Sequence, residues 1–126
     1  MSPDEIMAMK PTFGEHQEFD ALVAEMVMGW TRVHPVTNRR GGTKLWGFPP
    51  GYKHVAVVPL FWWDGDATLA VVKRLRDLGL YVVVETFADF YRVTVRREDG
   101  SPVCVVSLPD LKECIGKAAI IAVMQP

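Results

Sequence analysis

The sequence predicts a single α+β domain in which a mostly antiparallel sheet of three to four strands packs with three helices. Three stretches repeat apolar residues at the helical period, and the segment from Leu80 to Ser107 follows the strand period with hairpin spacing. The 126 residues, 49% hydrophobic and 23% charged, supply one core and leave little for a second. A chain of this size buries roughly two-thirds of the surface its unfolded form exposes, so it can fold without metals or disulfides.

Residues 1–17 hold Met1, Met7 and Met9 with Pro3, Pro11 and Gly14 and show little periodicity. They read as a flexible N-terminal arm with at most a short helical turn, ahead of one domain over 18–126. The first helix spans about Glu18 to Met28, because Phe19, Leu22, Val23, Met26 and Val27 recur on one helical face. Asp20, Glu18 and Glu25 fall on the other side, and Gly29 is the stop. From Thr31 to Trp63 prolines and glycines punctuate the chain, with extended pieces at Thr31–Val33, Thr43–Gly47 and His54–Val58. Pro59 makes the last an edge strand or an extended loop. A loop region of this length points to function, and aromatic residues gather in it.

Asp64 or Asp66 caps the second helix, whose buried face is Leu69, Val72, Leu75 and Leu78 with Val71. Gly79 ends it. Leu80–Thr86 is rich in β-branched residues on both faces, which predicts a place inside the sheet. In Phe90–Arg97, Tyr91, Val93 and Val95 point one way and Arg92, Thr94 and Arg96 the other. Whether helices cover one sheet face or both stays open at this point. Asp99-Gly100 turns the chain into Val103–Ser107, and Ser107 with Asp110 fits a capping box for a last helix from Leu108 to Met124. That helix is apolar well beyond one stripe, which leaves room for a homo-oligomer formed through it.

A net charge of −1 removes the strongest reason to expect non-specific nucleic-acid binding. Cys104 and Cys114 are expected as reduced buried thiols, although a bridge between a strand and the following helix is conceivable. No signal peptide and no span long enough for a bilayer are visible, so the expectation is a cytoplasmic protein without a membrane partner.

The run Phe19-Asp20-Ala21-Leu22-Val23-Ala24-Glu25-Met26-Val27-Met28-Gly29-Trp30 resembles the opening helix of the phage ABA (alpha-beta-alpha) sandwich domain family. Leu45-Trp46-Gly47-Phe48-Pro49-Pro50 is similar to the loop that follows there, and Asp64-Gly65-Asp66-Ala67 stands at the cap of the second helix. The resemblance covers about Phe19 to Val123. The cap region departs from it, reading Trp62-Trp63-Asp64-Gly65-Asp66 where the family has Ser-Thr-Asp wording. The resemblance implies an alpha-beta-alpha sandwich, a phage or prophage origin and hence the host cytoplasm. It implies no activity.

No catalytic set emerges from the residues. His16, His34 and His54 lack metal-ligand spacing, and Cys104 lacks a neighbouring histidine to activate it. Asp64 and Asp66 form a close carboxylate pair that helix capping explains. Asn38-Arg39-Arg40-Gly41-Gly42-Thr43-Lys44 combines glycines with basic side chains, as a phosphate-binding or acid-binding loop would, without Walker spacing. Trp46, Phe48, Tyr52, Trp62 and Trp63 can stack a base or anchor a protein, or else fold back on the sheet. Lys73, Arg74, Arg92, Arg96 and Arg97 form either a second basic patch or an ordinary solvated face.

The candidate binding residues are therefore Arg39, Arg40, Lys44, Trp46, Tyr52, Trp62 and Trp63, with no cofactor and no metal. The expectation is a non-enzymatic phage accessory protein that binds and blocks a host protein or protein complex, with antiviral defence as the natural target class. The alternative is an oligomeric sponge for a nucleotide signal. Behind these stand a nucleotide-processing enzyme and a minor virion protein.

Overall fold

A computed structural model of the chain describes residues 1–11 and 17–125; His16 lies outside them. Helix α1 (Pro3–Ala8) is followed by α2 (Glu18–Leu22), which runs on as a π-helical turn over Val23–Val27. Strands β1 (Thr31–Thr37), β2 (Thr43–Phe48) and β3 (Ala56–Val57) precede α3 (Gly65–Asp77). Strands β4 (Leu80–Thr86), β5 (Tyr91–Arg97) and β6 (Pro102–Leu108) lead to α4 (Leu111–Met124). The described strands form two antiparallel three-stranded sheets, β1-β2-β3 and β4-β5-β6. The α+β class is as the sequence predicts. The meander from Leu80 is one sheet, and the segment from Thr31, whose prolines and glycines read as loop punctuation, supplies a second.

The N-terminal segment differs from the expected arm over residues 2–9. Ser2 and Glu5 complete a capping box, with each backbone N–H bonded to the other's side chain at 3.2 Å, and Pro3 occupies the first turn. Ile6 is fully buried, and Lys117 of α4 donates from Nζ to the carbonyl oxygens of Met7 and Met9. The segment's scarcity of apolar period hid a helix held by one buried isoleucine and a distant lysine.

In α2 the wider π winding turns Ala24 into the core and Met26 out of it, so the buried set is Phe19, Val23, Ala24 and Val27. Gly29, at φ 78°, ends this helix. Asp64 caps α3, accepting from the Asp66 N–H at 2.9 Å. Its buried face is Ala67, Thr68, Val71 and Leu75, whereas Leu69 is 67% exposed and Leu78 also stands out. A ladder of strict three-residue steps drifts around a 3.6-residue helix, and Leu69 lies across the axis from Ala67.

Strand β4 is an edge strand and β5 the central one, against the position expected for Leu80–Thr86. Helices α3 and α4 pack on the face that carries Val93, Val95 and Val106. The register places Tyr81, Val83, Arg92, Thr94, Arg96 and Val105 on the opposite face. Thr94 is nonetheless buried, standing between Val83 and Val105 at its register position.

The cap of α4 is Asp110, bonded to the Glu113 N–H at 2.9 Å, because Ser107 and Leu108 remain in β6. Every residue from Cys114 to Ala122 is buried. Helix α4 meets β5 and β6, α3, the π-helical turn and α1. An all-round apolar helix is the helix of a core. The apolar surface from Cys114 to Ala122 is used within the chain, which leaves Leu111, Val123 and Met124, at the two ends of the helix, half-buried.

Candidate functional site

The basic loop is the tip of the β1–β2 hairpin. Asn38 organises it: its Oδ1 accepts from the Arg40 N–H at 2.9 Å and the Gly42 N–H at 3.0 Å, and its backbone N–H donates to Gly42 O. The Gly41 N–H donates to Asn38 O, with Gly41 at φ 83°, a conformation glycine adopts without strain. The Arg40, Gly41 and Gly42 amides are therefore engaged within the turn. What the tip presents is the exposed side chains of Arg39 and Arg40.

Strand alternation distributes the rest of the hairpin. Leu45 and Gly47 face inward, and a Cβ on Gly47 would come within 2.9 Å of Val33 Cγ2, so the sheet closes tightly over Val33 and Trp30. Lys44, Trp46 and Phe48 face the other way, opposite Val36, His34 and Thr31 on β1, while Val57 of β3 lies opposite Trp46. Lys44, Val36 and Val57 are exposed and Trp46 and Phe48 half-buried. A bulge between Thr31 and His34 swings Arg32, at φ 54°, so that its guanidinium stands 5.8 Å from the centre of the Phe48 ring. The His34 ring donates from Nδ1 to Arg32 O at 2.8 Å, which braces the bulge.

The seven expected binding residues are carried by three segments of the chain. Arg39, Arg40, Lys44 and Trp46 belong to one hairpin, and Tyr52, 70% exposed, stands in the β2–β3 connection. Trp62 and Trp63 lie in the turn before α3, stacked edge-to-face with centroids 5.8 Å apart. Trp62 packs against the core while Trp63, 59% exposed, faces Lys112 at the start of α4. The Trp63 and Asp64 N–H groups both donate to Leu60 O, so the two tryptophans stand on a hydrogen-bonded turn.

That turn is set by two residues whose role the sequence hid. Asp20 is buried and accepts the Phe61 N–H at 2.8 Å, and the Thr68 hydroxyl donates to Phe61 O at 3.0 Å. Both backbone groups of Phe61 are thus satisfied by side chains from α2 and α3, which fixes where the two tryptophans begin. A second signal lies in the segregation of charge along the chain. Between Glu25 and Asp64 the chain has Arg32, Arg39, Arg40, Lys44 and Lys53 and no acidic residue, although its net charge is −1.

No family model, curated protein or solved structure matches this chain.

The remaining reactive groups have structural partners. The Cys104 thiol donates to Ala118 O and the Cys114 thiol to Val106 O, and burial pushes both above the usual thiol range, which keeps them protonated. Neither is bridged. The second basic group is dispersed: Arg92 pairs with Glu85 at 3.8 Å, Arg96 donates to Gly100 O, and Arg74 donates to Val27 O. Among the described residues no group of His, Cys, Asp and Glu is arranged to hold a metal, and no helix is long and apolar enough to cross a membrane.

Proposed function

We propose that this chain is a binding protein that docks the open face of the β1–β3 sheet and its basic tip onto an acidic surface of another protein. In a phage or prophage setting that protein is a host component, covered and blocked by the contact, and an antiviral-defence component is the target class we favour. The observation that carries the reading is the composition of this face. Trp46 and Phe48 provide a semi-rigid aromatic centre flanked by Val36 and Val57, while Arg32, Lys44, Arg39 and Arg40 supply positive charge with no acidic side chain in the same stretch. An aromatic centre within a charged rim is the usual anatomy of a protein interface, and the charge steers the encounter.

In the nucleotide-sponge alternative the aromatics would stack the base and Arg39, Arg40 or Lys44 would pair the phosphate through their side chains, because Asn38 occupies the Arg40 and Gly42 amides of the glycine-containing turn. Affinity capture from host extract tests the proposal when paired with two variants. Trp46→Ala should lower partner affinity at least tenfold, on the scale of about 2 kcal/mol for an aromatic anchor. Arg39→Glu with Arg40→Glu should slow association and flatten its dependence on salt. Both variants should keep the circular dichroism of the parent. Undiminished capture and host phenotype in both variants would overturn the surface, and binding of a single-stranded oligonucleotide through the same residues would overturn the partner class.

A further inference from the structure

We propose that the free edge of β4 is a dimerisation strand, pairing antiparallel with β4 of a second copy of this chain about a twofold axis at Val83. The proposal stands on the other sheet and is independent of the reading above.

Among the described residues the two sheets have four edges, and three of them are blunted. Strand β1 contains Pro35 and the bulge at Arg32; β3 has two residues and soon meets Pro59; β6 opens on Pro102 with a register shift opposite β5. Prolines, bulges and short length are how soluble proteins stop an edge from recruiting another strand. Strand β4 has none of them. It pairs with β5 in unbroken register from Leu80↔Arg97 to Thr86↔Tyr91, without proline or lysine. Val83, Val84, Glu85 and Thr86 are all exposed. Successive side chains point to opposite faces, so this run marks an open flank and not merely one open face. Val84 lies on the helix-facing side and is still 41% exposed, which leaves the core unfinished at this edge.

The hydrogen-bond phase selects the register. The Phe87 N–H donates to Phe90 O at 2.9 Å, so Phe87 addresses β5, and by two-residue alternation Glu85, Val83 and Tyr81 do the same. The outward groups are then those of Leu80, Val82, Val84 and Thr86. An axis at Val83 sets Val82 against Val84 and Leu80 against Thr86 of the second copy, which engages all four outward residues in roughly eight hydrogen bonds. Moving the axis by one residue either way leaves an outward residue unmatched within the strand.

The side chains agree with this register. On the open face Val83 meets its own copy, and Tyr81 lies beside Glu85 of the second copy. Glu85 already pairs with Arg92, and Arg96 is the register neighbour of Tyr81, so acidic and basic groups alternate across the joint and no like charges oppose. On the helix side Val82 covers Val84 of the second copy and completes the core there.

Sedimentation of the full chain over a concentration series should show a reversible species of twice 14.1 kDa. Val83→Lys opposes two like charges at the axis and should give a folded monomer at every concentration, as should Val83→Glu. Mixing the two variants should restore the dimer. Val83→Cys should crosslink on mild oxidation and Val84→Cys should not, because only position 83 meets itself within disulfide reach. A parent chain monomeric at a hundred micromolar overturns the proposal. So does a dimer that survives Val83→Lys, or a Val83→Cys chain that fails to crosslink.

Discussion

Asp20 joins α2 to the turn that carries Trp62 and Trp63, with one carboxylate oxygen on Phe61 and the other, among the described residues, without a hydrogen-bond partner. Burial pushes its pKa from 3.8 up to about 7, against the opposing pull of the Phe61 N–H. The unfolded chain therefore loses this proton near 3.8 and the folded chain near 7. Between those values the folded state binds more protons, so the group's contribution is complete below the lower value and lost as pH rises to the upper one. The steepest decline is about 1.4 kcal/mol per pH unit. Asp20→Asn keeps an acceptor for Phe61 and should remove this slope. Urea unfolding from pH 4 to 8 checks it; parallel stability curves for parent and variant would refute the assignment. Asp20 was legible only as a polar residue, because its sequence neighbours put it on the solvated side of a regular helix. The π-helical turn and the Phe61 amide are tertiary facts that no local period encodes. Cys104 and Cys114 were legible as unbridged thiols, the form a reducing compartment favours, and they are free.

Helices and strands divide in the same way. The β4–β6 meander was readable because alternation and the Asp99-Gly100 turn are local signals, and Gly100 does adopt φ 87° there. The rank of its strands was not. Apolar residues on both faces of β4 mean burial on both sides for a central strand, but they equally suit an edge that pairs beyond its own chain. The β1–β2 hairpin was obscured by Pro35 and the bulge, features that belong to edge strands and resemble loop punctuation. Sequence alone therefore groups Arg39, Arg40, Lys44 and Trp46, which one hairpin unites, with Trp62 and Trp63, which it does not carry. Helix α4 makes a sharper demand on sequence than its composition reveals. A Cβ on Gly116 would fall 2.4 Å from Phe19 Cζ, and the Phe19 ring is itself buried. Gly116→Ala should therefore destabilise the domain by about 1–3 kcal/mol despite the better helix propensity of alanine, as overpacking does. Thermal unfolding gives the sign, and a raised Tm would show that α4 can move away from α2.

At the scale of the molecule, charge and topology work in different places. The basic stretch from Arg32 to Lys53 leaves the acidic excess to the rest of the chain, so the molecule presents a directional field despite its small net charge. The β4 edge lies on the other sheet, and a twofold pairing there would give one assembly two copies of the basic face. The contact between Lys117 and Met7 joins residues 110 apart in sequence. Closing so long a loop costs entropy that is recovered only after the parts between have formed. Helix α1 is short and its main anchors are Ile6 and this one lysine, with Glu113 3.7 Å from the Lys117 Nζ. It should behave as the least stable cooperative unit, opening and closing while β5 stays shut. In native-state hydrogen exchange the Ile6 and Met9 amides should exchange at least tenfold faster than those of Val93 and Val95, and Lys117→Met should widen that gap. Equal protection across the two groups would mean that the ends of the chain open only when the whole domain does.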